Sequence, residues 1–484
     1  MSELLTDHKN YIVFKFFQEI SRIPRGSGNI SGIRDYIASI AKEHGLDHVV
    51  DACGNVVVVR DASSEDSTGI PVMLQSHMDM VCAKTSDSNH DFENDPLDLY
   101  TEDGFLKARG TTLGGDDGIG VAYMLALLTD PDYVGPRIDC IFTVDEETGM
   151  VGANALDLTR IRAKRLINLD SENEGVFTTG CAGGIKVHAD LPYASAKFTG
   201  FRTDIKISGL LGGHSGDEIV KGRANAILLL SRFLYFLKDS GTDYHLISIN
   251  GGEKDNAIPR EAAASIVVSS SPTKVSDLAV QFKKIVLHEY AATDPGISIE
   301  VFEAPRDAEH MGMNESALRS LFLMTYSVPN GVVAMSRDID GLPETSTNLG
   351  IISTESGSIK CAFLLRSSIA SRKKELLERM TIILEAAGAS VETGGSYPEW
   401  AYKKKSPLRD SMAKLWKEMF GRDPVITAIH GGLECGIISS KCPDMDIVSI
   451  GPDIPDIHTP NERLDIESAS RVYDFLVKYL QDCK

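Results

Sequence analysis

Apolar residues recur along this chain at two spacings, and the spacing predicts where helices and strands lie. Near the start, one helical face is predicted at Val13, Phe16, Phe17 and Ile20. Thr6 or Asp7 is the predicted cap of that helix. The stretch HVVDACGNVVVVR predicts a hairpin, because its β-branched runs are separated by Gly54-Asn55.

Strands and helices alternate after the hairpin. Apolar runs of strand length occur at PVMLQ, IDCIFTV, RLINL and DIVSIG. Helices are predicted between them, one beginning near Asp116 and a short one near Gly152–Leu158. This alternation is typical of an α/β domain with a doubly wound, mostly parallel sheet.

The pattern changes after about Gly184. Four strand-plus-helix units follow one another, with strands at FRTDIKISGL, AAASIVVSSS, ISIEVFEA and SIKCAFLLRSS. They predict an inserted α+β lid domain built from two ferredoxin-like halves. The α/β pattern returns in the last stretch, so we expect a catalytic domain at 1–185 and 396–484, interrupted by a lid and substrate domain at 186–395.

Composition narrows the function classes. A chain of 484 residues with 42% hydrophobic and 24% charged residues is an ordinary globular protein of more than one core. The net charge of -20 argues against a nucleic-acid partner, which needs clustered Lys and Arg. No apolar segment approaches the ~20 residues of a membrane span, and MSELLTDHKN has no signal-peptide pattern. The dispersed cysteines lack a C-x-x-C, and a cytoplasmic location is expected.

Acid and imidazole side chains follow the predicted strands or open a helix. The carboxyl ends of neighbouring strands in an open α/β sheet share one crevice, so these groups can converge and hold two divalent cations. A metal-dependent hydrolase is therefore the leading interpretation. The candidate ligands are His77, Asp116, Glu146, Glu147, Asp170 and His458.

Each motif alone also has a structural explanation. The His77-x-Asp79 pair is common at strand ends, and Gly with Asp is common where a helix begins. Three consecutive acids can simply be a solvated loop. His214 in GLLGGHSG is either part of a flexible turn or close to a ligand, because glycine permits close backbone approach. For His430 in AIHGGLECG we favour a substrate-lining or structural role over a ligand role.

The order of the motifs is more specific than any one of them. HMD, GGDDG, DEE, NLDSE, GGHSG, NAIPR and IHTPNE occur in an order that resembles the co-catalytic zinc aminopeptidase and aminoacylase family. That family includes carboxypeptidase G, carnosinases, tripeptidases and bacterial dipeptidases. DEETGM, GGDDGIG and HGGLECG resemble the aminoacyl-histidine, or cytosolic non-specific, dipeptidase branch most closely. Position 170 is Asp and not Glu, and in this the chain resembles the dipeptidases and aminopeptidase-like members of the family. This resemblance favours a substrate with a free amino end.

The resemblance implies a role for each matching residue. Asp116 would bridge two metals, with His77 and Asp170 completing one site and Glu147 and His458 the other. Glu146 would be the general base acting on a water shared by the metals, and Asp79 the acid that orients His77. On the lid, His214 would stabilise the oxyanion. The residues implied in substrate binding are Asn256, Arg366 (the carboxylate clamp), Gly431 and Gly432.

The resemblance also implies a metallodipeptidase acting on small unblocked dipeptides, including those with a C-terminal His. Two zinc ions are expected, although Mn or Co suits the same ligands. An N-acyl amino acid deacylase or a tripeptidase of the same family remains an alternative, and a non-catalytic peptide-binding protein is a third. A homodimer is a further expectation from the resemblance, and His214 can then act in its own chain or in its partner's.

Overall fold

The computed structural model describes residues 3–63, 69–159, 161–269 and 273–483. Within these ranges the helices are α1 Tyr11–Ile20, α2 Ser31–Glu43, α3 Gly115–Thr129, α4 Val151–Ala155, α5 Ala226–Asp239, α6 Thr273–Glu289, α7 Glu315–Ser327, α8 Ala370–Ala386, α9 Pro407–Phe420, α10 Glu434–Lys441 and α11 Ile466–Asp482. No helix in this part of the chain is long and apolar enough to cross a membrane.

The strands of the same ranges are β1 Asp47–Val50, β2 Val56–Arg60, β3 Val72–His77, β4 Leu99–Glu102, β5 Phe105–Ala108, β6 Ile138–Thr143, β7 Arg165–Asn168, β8 Val176–Cys181, β9 Gly183–Pro192, β10 Ser195–Ser208, β11 Gly213–His214, β12 Tyr244–Gly251, β13 Ala257–Ile258, β14 Ala262–Val268, β15 Ser298–Met313, β16 Gly331–Met335, β17 Pro343–Glu355, β18 Ser358–Ser367, β19 Ser390–Tyr397, β20 Val425–Ile429, β21 Asp446–Ser449 and β22 Arg463–Asp465.

The chain divides into two compact units. The first comprises Met1–Gly180, Tyr402–Ala428 and Leu433–Lys484, and the second comprises Cys181–Ala401 and Ile429–Gly432. The four residues Ile429–Gly432 therefore belong with the second unit, although they lie inside the predicted segment 396–484. The boundaries at 185 and 395 stay predictions.

The first unit contains an eight-stranded sheet in the order β1-β2-β6-β3-β7-β21-β8-β20. Its centre is parallel, since β3 pairs in parallel with β6 and β7, and β7 pairs in parallel with β21. The β1-β2 hairpin pairs antiparallel at one side. Strands β3 and β6 are buried along their whole length, as expected for strands covered on both faces. The predicted α/β class is confirmed, with the parallel strands at the centre.

The first helix packs as predicted but begins elsewhere. Val13, Phe16, Phe17 and Ile20 are buried. The predicted cap at Thr6 or Asp7 is wrong, because α1 begins at Tyr11 after Asn10 and residues 6–10 form turns. Asn10 uses its side-chain amide on Ser470 and Asp474 of the last helix instead of capping α1. The helix start is therefore set by a contact 460 residues away, which local spacing does not contain.

The second unit is one antiparallel sheet in the order β15-β10-β14-β12-β17-β18-β9-β19, with β16 added beside β17. It consists of two ferredoxin-like halves, β10-α5-β12-β14-α6-β15 and β9-α7-β17-β18-α8-β19. The first half is inserted between β9 and α7 of the second, so the halves interleave along the chain. The core of this unit consists of apolar side chains from the four helices α5 to α8 and from the strands of the sheet.

Candidate metal centre and substrate-binding residues

The candidate ligands of the first unit lie at the carboxyl ends of its parallel strands. His77 is the last residue of β3, and Asp170 follows β7 by two positions. Glu146 and Glu147 occupy the turn after β6. Asp116 stands in the first turn of α3 with non-helical backbone angles (φ -80°, ψ 111°). Strand ends and a helix entrance therefore deliver side chains that are distant in sequence to one place.

Two groups of ligand atoms share Asp116. In the first group, His77 Nε2 lies 3.0 Å from Asp116 Oδ1 and 3.5 Å from Asp170 Oδ1. In the second, His458 Nε2 lies 3.1 Å from both Asp116 Oδ2 and Glu147 Oε1. Each group keeps its possible ligand atoms within 4.8 Å of one another. One oxygen of Asp116 faces each group, which is the arrangement a carboxylate needs to bridge two cations.

The electrostatics of the cluster favour positive charge. Hydrogen bonds that the imidazole donates to the Asp116 and Glu147 carboxylates raise the pKa of His458 to about 11. Burial opposes the charging of His77, yet the surrounding carboxylates raise its pKa well above the usual value. Burial also opposes ionisation of Asp116, but both imidazoles hold the pKa of that carboxyl below its usual range. The donor set of imidazole and carboxylate atoms suits divalent zinc, manganese or cobalt, so the residues fit a dinuclear metal centre.

Asp79 connects the His77 ring to the two glutamates. Its Oδ1 lies 3.4 Å from His77 Nδ1 and accepts the Glu146 N–H at 3.0 Å, while Oδ2 accepts the Glu147 N–H at 3.3 Å. The side chain is fully buried. Burial opposes its ionisation, but the partners, His77 first, keep the pKa of Asp79 below its usual value. A carboxylate behind a ligating imidazole fixes the orientation of the ring.

Glu146 differs from Glu147 in its surroundings. Burial, followed by the negative charge of Glu434 and Glu147, raises the pKa of Glu146 to about 8, with His77 opposing. Its neighbour Glu147 instead faces His458. A carboxyl group whose pKa lies near neutrality can both accept and return a proton.

In the second unit, two glycine- and proline-flanked motifs pair through their backbones. His214 of β11 is opposite Ala257 of β13, and the Ser215 N–H donates to the Asn256 carbonyl at 2.8 Å. The His214 ring lies 3.3 Å from the Asp217 carboxylate through Nδ1. The GGHSG and NAIPR motifs are therefore adjacent.

Arg366 of β18 lies in the same unit as His214 and is only 5% exposed. Its Nη1 donates to the Tyr397 hydroxyl at 2.7 Å, and its Nη2 lies 3.4 Å from His214 Nε2. Its buried Nε has no hydrogen-bond partner among the described residues. A Cβ at Gly432 would meet the Tyr397 ring at 2.7 Å, whereas a Cβ at Gly431 would make only ordinary van der Waals contacts, at 3.6 Å from Ile429 and 3.9 Å from Asp217. The side chains of His214, Arg366 and Tyr397 thus lie together, next to the glycine pair.

His430 is not among the grouped ligands. It is buried in the second unit, where its Nε2 lies 2.6 Å from Ser346 Oγ. Burial and the charge of Arg366 lower the pKa of His430 to about 4, so the ring is neutral at physiological pH. These contacts fit the structural role favoured from the sequence.

Sequence reasoning missed a buried polar network in the first unit. Glu434 Oε2 accepts hydrogen bonds from Gln75 Nε2 at 2.5 Å and Thr143 Oγ1 at 2.6 Å, and Asn168 Nδ2 donates to Gln75 Oε1 at 2.6 Å. Gln75 precedes His77 by two positions on the same face of β3, and Asn168, the last residue of β7, precedes Asp170 by two positions. A polar residue inside an otherwise apolar strand was the available signal.

Residues 73–482 match Peptidase family M20/M25/M40. The chain is 36% identical over 476 residues to the cytosol non-specific dipeptidase of Escherichia coli (strain K12), and the match covers 97% of each chain. The crystal structure of aminoacylhistidine dipeptidase from Vibrio alginolyticus has a TM-score of 0.91 and 34% identity, covering 99% of this chain and 98% of that one. Aminopeptidase PepT from Bacillus cereus ATCC 10987 (TM-score 0.58, 16% identity, 98% and 99% covered) shares the fold.

Proposed function

The chain belongs to peptidase family M20/M25/M40, and from this premise we propose that it is a dinuclear-metal dipeptidase acting on unblocked dipeptides. The observation that carries the proposal is the pair of ligand groups sharing Asp116, with the Glu146 carboxyl beside them. The relatives named cytosol non-specific dipeptidase and aminoacylhistidine dipeptidase support the substrate class, including dipeptides with C-terminal His. The name of the first also supports a cytosolic location, as do eight free cysteines.

We assign the metal ligands by the two groups. His77, Asp170 and one oxygen of Asp116 would hold one cation, and Glu147, His458 and the other oxygen of Asp116 would hold the second. Cations held there would supply Lewis-acid chemistry, polarising a carbonyl oxygen and lowering the pKa of a bound water. Zinc is the expected metal. Asp79 keeps the His77 ring oriented and holds the turn that carries both glutamates.

Glu146 handles the protons. Its carboxylate takes a proton from the attacking water and then delivers it to the leaving amine nitrogen. The raised pKa of about 8 in the protein alone shows that the pocket resists a bare negative charge at this position. Positive charge at the ligand groups lowers that pKa toward neutrality, where a base that must also return its proton is most effective.

The second unit supplies the substrate contacts in this proposal. The Arg366 guanidinium binds the C-terminal carboxylate, since Nε has no acceptor in the part of the chain that the structure describes and Nη1 is oriented by Tyr397. His214, whose Nδ1 lies near Asp217, donates from Nε2 to the carbonyl oxygen as negative charge develops there. Asn256, Gly431 and Gly432 line the space that the peptide occupies.

A substrate panel tests the function. Purified protein is incubated with β-Ala-His, Gly-His, Leu-Gly, Gly-Gly-Gly and N-acetyl-Met, with chelator or with added Zn²⁺ or Mn²⁺. We expect chelator-sensitive cleavage of the three unblocked dipeptides only, with Glu146→Gln as the inactive control. Cleavage confined to N-acetyl-Met identifies a deacylase, and cleavage confined to the tripeptide identifies a tripeptidase. Metal binding without any cleavage supports a binding protein.

A further inference from the structure

The segment Leu113–Asp116, which delivers the shared carboxylate, is held by two buried side chains of opposite charge. Glu462 is 3% exposed and Arg25 is 2% exposed. Neither is a candidate ligand, and neither takes part in the chemistry described above. Both contact the backbone of this segment, from parts of the chain far removed in sequence.

Glu462 accepts hydrogen bonds from four consecutive backbone N–H groups. Its Oε2 accepts from Leu113 at 2.8 Å and Gly114 at 3.0 Å. Its Oε1 accepts from Gly115 at 2.7 Å and Asp116 at 3.2 Å. The first N–H groups of a helix have no partner within the helix, and negative charge is favoured at this end. The carboxylate therefore fixes the whole entrance of α3, including the backbone of Asp116.

Arg25 fastens the same entrance to the strand that ends in His77. Its Nη1 donates to the carbonyls of Met78 at 3.1 Å and Asp79 at 3.2 Å, and its Nη2 donates to the carbonyl of Gly114. Glycine is required beside the guanidinium, because a Cβ at Gly114 or Gly118 would lie 2.5 Å from Nη2. The Arg25 guanidinium thus joins the backbone after His77 to the backbone before Asp116.

Glu462 also belongs to the segment that carries His458. It lies four residues after this ligand, and its N–H donates to the Thr459 carbonyl at 3.1 Å. The Glu462 carboxylate therefore joins the His458 segment to the Asp116 segment. His77, Asp116 and His458 come from three separate segments; Arg25 connects the first to the second, and Glu462 connects the second to the third.

We propose that Glu462, supported by Arg25, is a positioning residue that sets the two-sided placement of the Asp116 carboxylate between His77 and His458. It acts through the Asp116 backbone and touches neither cation. The inference rests on the proposed metal centre, not on the peptide specificity. Because Asp116 serves both ligand groups, loss of this constraint weakens both metal sites together. A residue that only stabilised the fold would leave metal affinity unchanged once the protein was folded.

Glu462→Gln is the sharpest variant. Its amide keeps the size of the side chain but presents an NH₂ group to two of the four N–H donors and removes the charge. Glu467→Gln is the matched control, since Glu467 is exposed on the first turn of α11, with His8 Nε2 at 3.5 Å. Arg25→Lys is the second variant, because lysine keeps the charge but cannot span three carbonyls.

Zinc affinity is measured on the metal-free proteins by competition with a chromogenic chelator, so that no peptide substrate is involved. Thermal melting of the metal-free forms checks folding. We expect Glu462→Gln to bind both zinc ions at least about tenfold more weakly. Mutation of a residue that holds a metal ligand in place typically lowers metal affinity by this amount or more. Glu467→Gln should match the wild type. At saturating zinc, kcat on a dipeptide should fall while KM stays unchanged.

Wild-type zinc affinity in a folded Glu462→Gln protein overturns the proposal, as does a loss equal to that of Glu467→Gln. If metal-free Glu462→Gln does not melt cooperatively, Arg25→Lys is judged by the same criteria. A wild-type protein that binds two zinc ions without cleaving any dipeptide contradicts the proposed function but leaves this test intact. A wild-type protein that binds no zinc removes the basis for both.

Discussion

At the scale of single residues, the neighbours Glu146 and Glu147 have different surroundings within one turn, which matches the two tasks proposed for them. Both backbone N–H groups donate to Asp79, so the turn presents the two side chains in a fixed way. The Glu147 carboxyl lies 3.1 Å from His458, whereas Glu146 is half-buried and desolvation raises the pKa of its carboxyl to about 8. Glu147 therefore lies beside a candidate metal ligand, whereas the surroundings of Glu146 favour the protonated form of its carboxyl group.

Replacing each glutamate by glutamine separates these tasks. Glu146→Gln should keep two metal ions and lose turnover by roughly 100- to 10,000-fold, the usual contribution of a general base. Glu147→Gln is the matched comparison and should lower the bound metal instead. Metal content by atomic spectroscopy and dipeptide turnover are measured on both. Turnover near wild type in Glu146→Gln removes this residue as the base.

Asp116 and Asp170 provide a second residue-scale contrast. Asp116 faces both ligand groups, while Asp170 belongs only to the group that contains His77. Asp116→Asn should therefore lower the occupancy of both metal sites, and Asp170→Asn that of one. Equilibrium dialysis against zinc measures the stoichiometry. Two bound ions in Asp116→Asn, with wild-type affinity, contradict a bridging role.

Arg366 makes a prediction about peptide ends. Removing a charged hydrogen-bond donor to a carboxylate costs about 1.5–3 kcal/mol, so Arg366→Ala should raise KM for free dipeptides roughly 10- to 100-fold. C-terminally amidated dipeptides, which lack that charge, should be affected far less. Arg372→Ala is the control, because that arginine is exposed on α8 of the same unit. Equal losses on both substrate types count against the carboxylate clamp.

At the scale of elements, the sequence predicted the strand ends that carry candidate ligands. It did not predict the side chains that hold these segments in place. The apolar runs before His77, Glu146 and Asp170 mark parallel strands, whose carboxyl ends converge by topology. The acceptor role of Glu462 was hidden, since its partners lie more than 340 residues away. The interleaving of the two ferredoxin-like halves of the second unit was missed for a similar reason. Its first strand, β9, pairs with β18 and β19, near the other end of the insertion.

Glu434, the first residue of α10, leads to a prediction about how the stability of the protein depends on pH. Burial raises the pKa of Glu434 to about 7, although hydrogen bonds from Thr143 and Gln75 oppose this. Between the unfolded pKa of 4.5 and the folded value, the folded protein holds a proton that the unfolded chain releases. Stability contributed by this group therefore falls as pH rises through that window, and the loss is complete above it.

Glu434→Gln removes that titration. Relative to the wild type, the free energy of unfolding of Glu434→Gln should increase by roughly 2 to 3 kcal/mol between pH 5 and pH 8. Urea unfolding of the metal-free proteins at both pH values measures the difference, in which titrations common to both proteins cancel. Glu418→Gln, exposed on α9, should show no such change. A constant difference between wild type and Glu434→Gln contradicts the raised pKa.

At the scale of the whole molecule, the candidate metal ligands of both groups lie in the first unit. Each unit contains one of the chain's two tryptophans. Trp416 packs in the first unit against Phe177 and Phe475, and Trp400 is buried in the second.

The variant Trp400→Phe leaves Trp416 as the fluorescent reporter of the first unit, and Trp416→Phe leaves Trp400 as the reporter of the second. Zinc at about 100 times Kd stabilises the unit that binds it by about 2.7 kcal/mol. This should raise the melting midpoint reported by Trp416 by roughly 5 °C or more, while the Trp400 midpoint stays within about 1 °C. Equal shifts at both tryptophans would show instead that the two units unfold as one cooperative body.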